Sequence, residues 1–243
     1  RDILTERWTL KWLEEHDELK QGKTTLKKIL LDLEELVLGN AGVDPFEEIF
    51  KLIYAKLYDE WKGINDSSYQ LEFFVGDRSR EQVKRAITNL LEGAKREWQG
   101  VFEPTDKIEL RDEHLKVCVS FLEKIKLFNS NLRIIDEAFE YLIPQVSKKK
   151  EGQFFTPRPV EDMVVKMLNP KSDEFVIDPA CGSAGFLLHS VMWVAGGMIS
   201  GKPLPENARN FAQTKIYGID FAKKAVKIAK AINLIVGDGK SHV

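Results

Sequence analysis

The sequence predicts an α/β chain. A mostly helical amino-terminal part spans residues 1–147, and a parallel-sheet part with a nucleotide-type cofactor site spans 148–243. Three observations predict it. Apolar residues recur at helical spacing through the first 143 positions. Two short apolar runs, 175–177 and 215–219, each end in an acid, Asp178 and Asp220. A small-residue turn follows the first acid, and an apolar helix follows each of them.

In the helical part, Leu26, Ile29, Leu30, Leu33, Leu36 and Val37 share one helix face. Asp44 and Pro45 read as N-cap and first helical residue of a helix with the stripe Phe46, Ile49, Phe50, Ile53, Leu57 and Trp61. Residues 71–75 predict a short strand. Residues 79–98, 112–126 and 132–142 predict three further helices, the first with a charged, solvated face. Trp8 and Trp12 read as packed residues or as a partner contact. The polar run 144–151 marks the boundary, and Lys148, Lys149 and Lys150 read as a solvated connector or as phosphate contacts.

The sheet part carries the informative motifs. At 178–187 stands D-P-A-C-G-S-A-G-F-L. Phe175, Val176 and Ile177 predict a buried strand, and Phe186 onward a helix. Gly182 and Gly185 let the backbone turn sharply and approach a ligand closely, and the turn delivers amide N–H groups at the helix start. The spacing is not the dinucleotide fingerprint G-x-G-x-x-G. Upstream, G-Q-F-F-T-P-R-P occupies 152–159, with Thr156 as N-cap and Pro157 as first residue of a helix carrying Val160, Met163, Val164 and Met167. Downstream, 215–220 predicts the next strand. The following helix carries Ala222, Ala225, Val226, Ala229 and Ile232, and residues 197–209 a connecting loop.

Residues 178–187 resemble motif I of S-adenosylmethionine-dependent DNA amino-methyltransferases, with Ala184 where glycine is frequent. Residues 152–157 resemble motif X of the modification subunits of type I restriction–modification systems. The helical part resembles the same family more loosely, and residues 1–22 are unassigned. The resemblance implies a Rossmann-like methyltransferase fold that takes S-adenosylmethionine and methylates adenine N6 in double-stranded DNA. It implies assembly with a specificity subunit, a restriction subunit and further copies. It implies a methyl-donor site built from Gln153, Phe154, Phe155, Thr156, Pro157, Arg158, Asp178, Gly182, Ser183, Ala184, Gly185, Asp220 and Asp238. Within that set Asp220 would clamp the ribose, and Asp238 would stand near the adenine amine or merely belong to a Gly-Asp-Gly turn. Asp178 would orient the amino-acid end of the donor or merely cap its turn.

The N6 amine is a weak nucleophile, so transfer needs acceptors that hold its protons and aim its lone pair. In the family the tetrapeptide N-P-P-[FY] does this on a flipped base. The chain contains no such tetrapeptide, so no catalytic residue is assigned and turnover by this stretch alone is not expected. Methyltransferases acting on RNA or protein, and a non-enzymatic helical assembly module, are the alternative readings.

Thirty-six basic and 38 acidic residues leave a net charge of −2, so any nucleic-acid surface is local or belongs to a partner. Cys118 and Cys181 form no disulfide framework, and with His16, His114, His189 and His242 they show no metal-ligand spacing, so no metal is expected. No apolar run reaches about 18 residues and no signal peptide is visible, which predicts a cytoplasmic protein with no membrane span.

Overall fold

A computed structural model describes residues 8–36, 39, 41–128, 156–197, 204–236 and 242–243. The chain divides into two compact units, Arg1–Leu127 and Phe128–Val243. The boundary expected after residue 147 and the helix expected over 132–142 lie outside the described residues.

The described part of the first unit is helical. It contains α1 (Leu10–His16), α2 (Leu26–Leu36), α3 (Pro45–Asn65), α4 (Arg80–Glu97) and α5 (Asp112–Leu122). Thr9 caps α1 through its hydroxyl, and Asp44 caps α3 by accepting from the Glu47 amide at 3.2 Å, with Pro45 opening the helix as the sequence predicts. Ser79 and Gln82 form a reciprocal capping box on α4. Leu26, Ile29, Leu30 and Leu33 of α2 and Phe46, Ile49, Phe50, Ile53 and Leu57 of α3 are buried. Gly93 of α4 lies flat on the Tyr58 ring of α3, where any Cβ would overlap the ring. Trp8 stacks on Phe74 at 5.3 Å and lies tilted against Trp12 at 4.3 Å, and both tryptophans are half-buried.

Helix α3 also buries charge. Glu48, Lys51, Lys56, Asp59 and Glu60 are each at most 5% exposed. Buried charge survives only when it is paired or hydrogen-bonded. Here the carboxylates hold loops. Glu48 accepts from the amides of Glu109 and Leu110, and Glu60 from that of Leu127, with Lys56 3.0 Å away. Asp59 accepts from the amides of Glu72 and Phe73 and from the Tyr69 hydroxyl.

These bonds correct one expectation. Residues 71–75 are not a strand, because their amides are consumed elsewhere. Leu71 donates to the Trp8 carbonyl, Glu72 and Phe73 to Asp59, and Val75 to the Glu123 carboxylate at 2.7 Å. An apolar, aromatic run reads as a strand until its ladder bonds are counted.

The described part of the second unit contains α6 (Arg158–Leu168), β1 (Val176–Asp178), α7 (Gly185–Val194), α8 (Glu206–Thr214), β2 (Ile216–Gly218) and α9 (Lys223–Val236). The strands pair in parallel, with Val176 opposite Ile216 and Asp178 opposite Gly218. Helix α7 packs on both strands and on α6 and α8. Gly218 is where α7 comes closest: a Cβ there would stand 2.9 Å from both Cys181 Sγ and Leu187 Cδ1. Ala222, just before α9, and Ala225, Ala229 and Ile232 within it are buried as predicted, while Val226 is half-buried.

Three further expectations are corrected, and the buried face of α6 is added. The buried strand expected at 175–177 is instead β1 (Val176–Asp178), half-buried at Val176 and Asp178 on the side of α7, with Phe175 and Ile177 68% and 65% exposed. The loop expected over 197–209 gives way at 206 to helix α8 (Glu206–Thr214), anchored by buried Ala208, Phe211 and Ala212. Helix α6 is capped by Pro157 with no side-chain bond, so Thr156 lies one residue outside the cap position and Pro159 is the proline within the first turn. The same helix turns Val160, Met163, Met167 and Leu168 outward and buries Glu161 and Val165 instead.

Candidate functional site

The site forms where β1 and β2 end side by side. The chain leaves β1 at Asp178 and turns through residues 179–184 into α7. Asp178 Oδ1 accepts from the Ala180 amide at 3.0 Å, which closes the turn locally. The Cys181 amide donates to the Ile219 carbonyl and the Ile219 amide to the Asp178 carbonyl, both at 2.9 Å. These bonds fasten the turn to the end of β2.

Two residues of the turn are left-handed: Gly182 at φ +54° and Ala184 at φ +70°. Glycine adopts this region freely, whereas alanine pays for it. Ala184 is nevertheless fully buried at the N-cap of α7, and its amide donates to the Cys181 carbonyl at 2.7 Å. Among the described residues, nothing beyond its chain neighbours lies within 4 Å of where a Cβ at Gly182 would stand.

Asp220 faces this turn from the end of β2. Its Oδ2 accepts from the Gly182 amide at 2.9 Å and its Oδ1 from the Ala222 amide at 2.7 Å. An ionised carboxylate has about four lone-pair sites, so these bonds leave acceptor capacity. Burial first, then the charges of Asp178 and Asp220, push the Cys181 thiol up to about 12. It is a packed residue and not a nucleophile at neutral pH.

Of the residues expected to form the site, Asp178, Gly182, Ser183, Ala184, Gly185 and Asp220 come together at this strand end. Thr156, Pro157 and Arg158 lead into α6, which packs on α7. Gln153, Phe154, Phe155 and Asp238 lie outside the described residues. Sequence reasoning missed Glu161, Asp162 and their contact with His189, in which Nδ1 is 2.7 Å from Asp162 Oδ1 and Nε2 is 3.4 Å from Glu161 Oε2. The available signal was the acid pair Glu161-Asp162 within the helical stretch 158–168. Among the described residues no cluster has the makeup of a metal site, and no helix is long and apolar enough to cross a membrane.

Residues 131–242 match the family of N-6 DNA methylases. The StySPI type I restriction enzyme methylase subunit of Salmonella potsdam is 23% identical over 223 residues, covering 89% of this chain and 39% of that protein. The chain is related to the methylase subunits of type I restriction enzymes. The type II restriction enzyme and methyltransferase RM.BcgI of Heyndrickxia coagulans is similarly related, at 29% identity over 92 residues, 38% of this chain and 14% of that one. A crystal structure of a modification subunit of a type I restriction enzyme from Vibrio vulnificus YJ016 shares the fold, with a TM-score of 0.59 at 15% identity. The match covers 98% of this chain and 56% of that one. The chain spans well under half the length of these curated methylase relatives.

Proposed function

We propose that this chain is the helical and methyl-donor-binding portion of a site-specific DNA adenine-N6 methyltransferase, a modification subunit of a restriction–modification system. Its sheet unit is read as the start of a Rossmann-like fold. The observation that carries this reading is the Asp178–Ala184 turn at the carboxyl end of parallel β1 and β2, with Asp220 opposite. Ligands of open α/β sheets sit at this edge.

The residues fit S-adenosylmethionine. Among the described residues no side chain crowds Gly182, and Asp220, which accepts only two amide bonds there, keeps lone pairs for ribose hydroxyls. Asp178 supports the turn and places a negative charge toward a cationic amino-acid end. By resemblance, Gln153, Phe154, Phe155, Thr156, Pro157 and Arg158 are proposed to cover the donor, and Asp238 to be the adenine-side acid. When bound, the sulfonium supplies an electrophilic methyl group. The residues of this chain bind and orient it, and none is assigned to the acceptor base. Double-stranded DNA, a specificity subunit, a restriction subunit and further copies are the proposed partners, in the cytoplasm.

Calorimetric titration of the chain with S-adenosylmethionine, beside Asp220→Ala, tests this. Micromolar binding, about −8 kcal/mol, that weakens at least tenfold in the variant supports the assignment. A folded chain that binds nothing overturns it.

A further inference from the structure

Helices α6 and α7 meet through a carboxylate pair and an imidazole. Glu161 and His189 are both 8% exposed, although neither belongs to a motif noted in the sequence. The Glu161 carboxylate lies against the Cα face of Gly185, the first residue of α7, and a Cβ there would overlap it. One turn further along α7, His189 reaches back between Glu161 and Asp162. The segment entering α6 and the turn entering α7 are thereby joined four residues from each helix start, through groups whose reach is fixed by hydrogen-bond length. Arg158 and Lys166 line the groove that His189 borders.

The proton count makes the contact directional. Asp162 is half-exposed and accepts from Nδ1–H. A neutral imidazole then turns a lone pair toward Glu161, so the Nε2–Oε2 contact is attractive only with a second proton between them. A glutamine at 161 would meet that lone pair with its amide N–H and preserve the spacing. An alanine would not.

We propose that Glu161 and His189 are positioning residues of the methyl-donor site, which set the distance between the 156–158 segment and the 178–185 turn. This rests on the donor-site reading above. The test measures S-adenosylmethionine affinity and melting temperature for the chain and for E161A, H189A and E161Q.

The expected result is about tenfold weaker binding in E161A and H189A, with E161Q within threefold of the unsubstituted chain even where its melting temperature changes. Binding by E161A or H189A within twofold overturns the inference while leaving the donor site standing. E161Q as weak as E161A overturns it too, since the spacing that glutamine preserves would then not be what sets the affinity. If E161A fails to fold, H189A and E161Q decide. An unsubstituted chain that binds no donor overturns both the inference and the reading beneath it.

Discussion

Asp220 accepts a hydrogen bond from the amide of Gly182, 38 residues earlier, at 2.9 Å. The acid that follows β2 therefore holds the turn that follows β1. Asp220→Ala leaves the Gly182 and Ala222 amides without this acceptor and is expected to cost about 1–2 kcal/mol, a value moderated by partial exposure. Asp220→Asn keeps an acceptor oxygen and should cost less. Urea denaturation of both variants checks the order. Equal losses would mean that the amides find water instead.

Ala184 stands at φ +70° with its methyl group fully buried. Relief of left-handed strain, about 1–2 kcal/mol, and loss of a buried methyl, about 0.8 kcal/mol, oppose each other in Ala184→Gly. Its stability should stay within about 1 kcal/mol of the parent. Ala184→Val combines a β-branched side chain with a conformation it avoids, and should lose about 2 kcal/mol or more. A denaturation midpoint for Val equal to that for Gly would refute the strain.

The Cys181 and Cys118 thiols are both pushed up to about 12, in each case chiefly by burial. Neither should react with a disulfide reagent at pH 8 until the chain unfolds. Titration with and without urea reads this directly. Fast labelling of one thiol in the native chain would show that the turn around Cys181 opens.

Burial raises the carboxyls of Asp17, Asp59 and Glu123 above their ordinary values, against opposing amide hydrogen bonds. The native state then binds these protons more tightly than the unfolded state. Their contribution is complete below the ordinary carboxylate range and is lost as pH rises through the raised values. Between pH 7 and pH 5 the urea midpoint of the parent should therefore gain on that of Asp59→Asn, which lacks one of the three groups. A constant gap between the two would contradict the direction.

Gly93 has no room for a side chain, because the Tyr58 ring lies on its Cα. Gly93→Ala is expected to separate α3 from α4 and cost about 1–3 kcal/mol. Tyr58→Leu in the same chain should recover part of that loss, and the thermal midpoints of the single and double variants measure the recovery.

Much of the architecture was legible in the residues. Asp44-Pro45 started α3 where it stands, Ser79 started α4, and Asp178 ended β1, while β2 stopped at Gly218, two residues short of Asp220. These signals are local: a cap needs a side chain three residues from an amide, and a strand end needs an apolar run and a turn. The errors were of another kind. Residues 71–75 had strand composition and lost their ladder to Asp59 and Glu123. Val160, Met163 and Met167 had a helical stripe and faced outward, while Glu161 turned inward to His189.

The caps of α3 and α4 and the glycine turn were determined by the sequence itself, because short-range sterics and hydrogen bonding decide them within a few residues. Which face of α6 is buried, which carboxylates of α3 hold loops, and how Asp220 reaches Gly182 were decided only by tertiary structure. In each case a polar group found its partner far along the chain. Burial without that partner would have cost more than the apolar alternative.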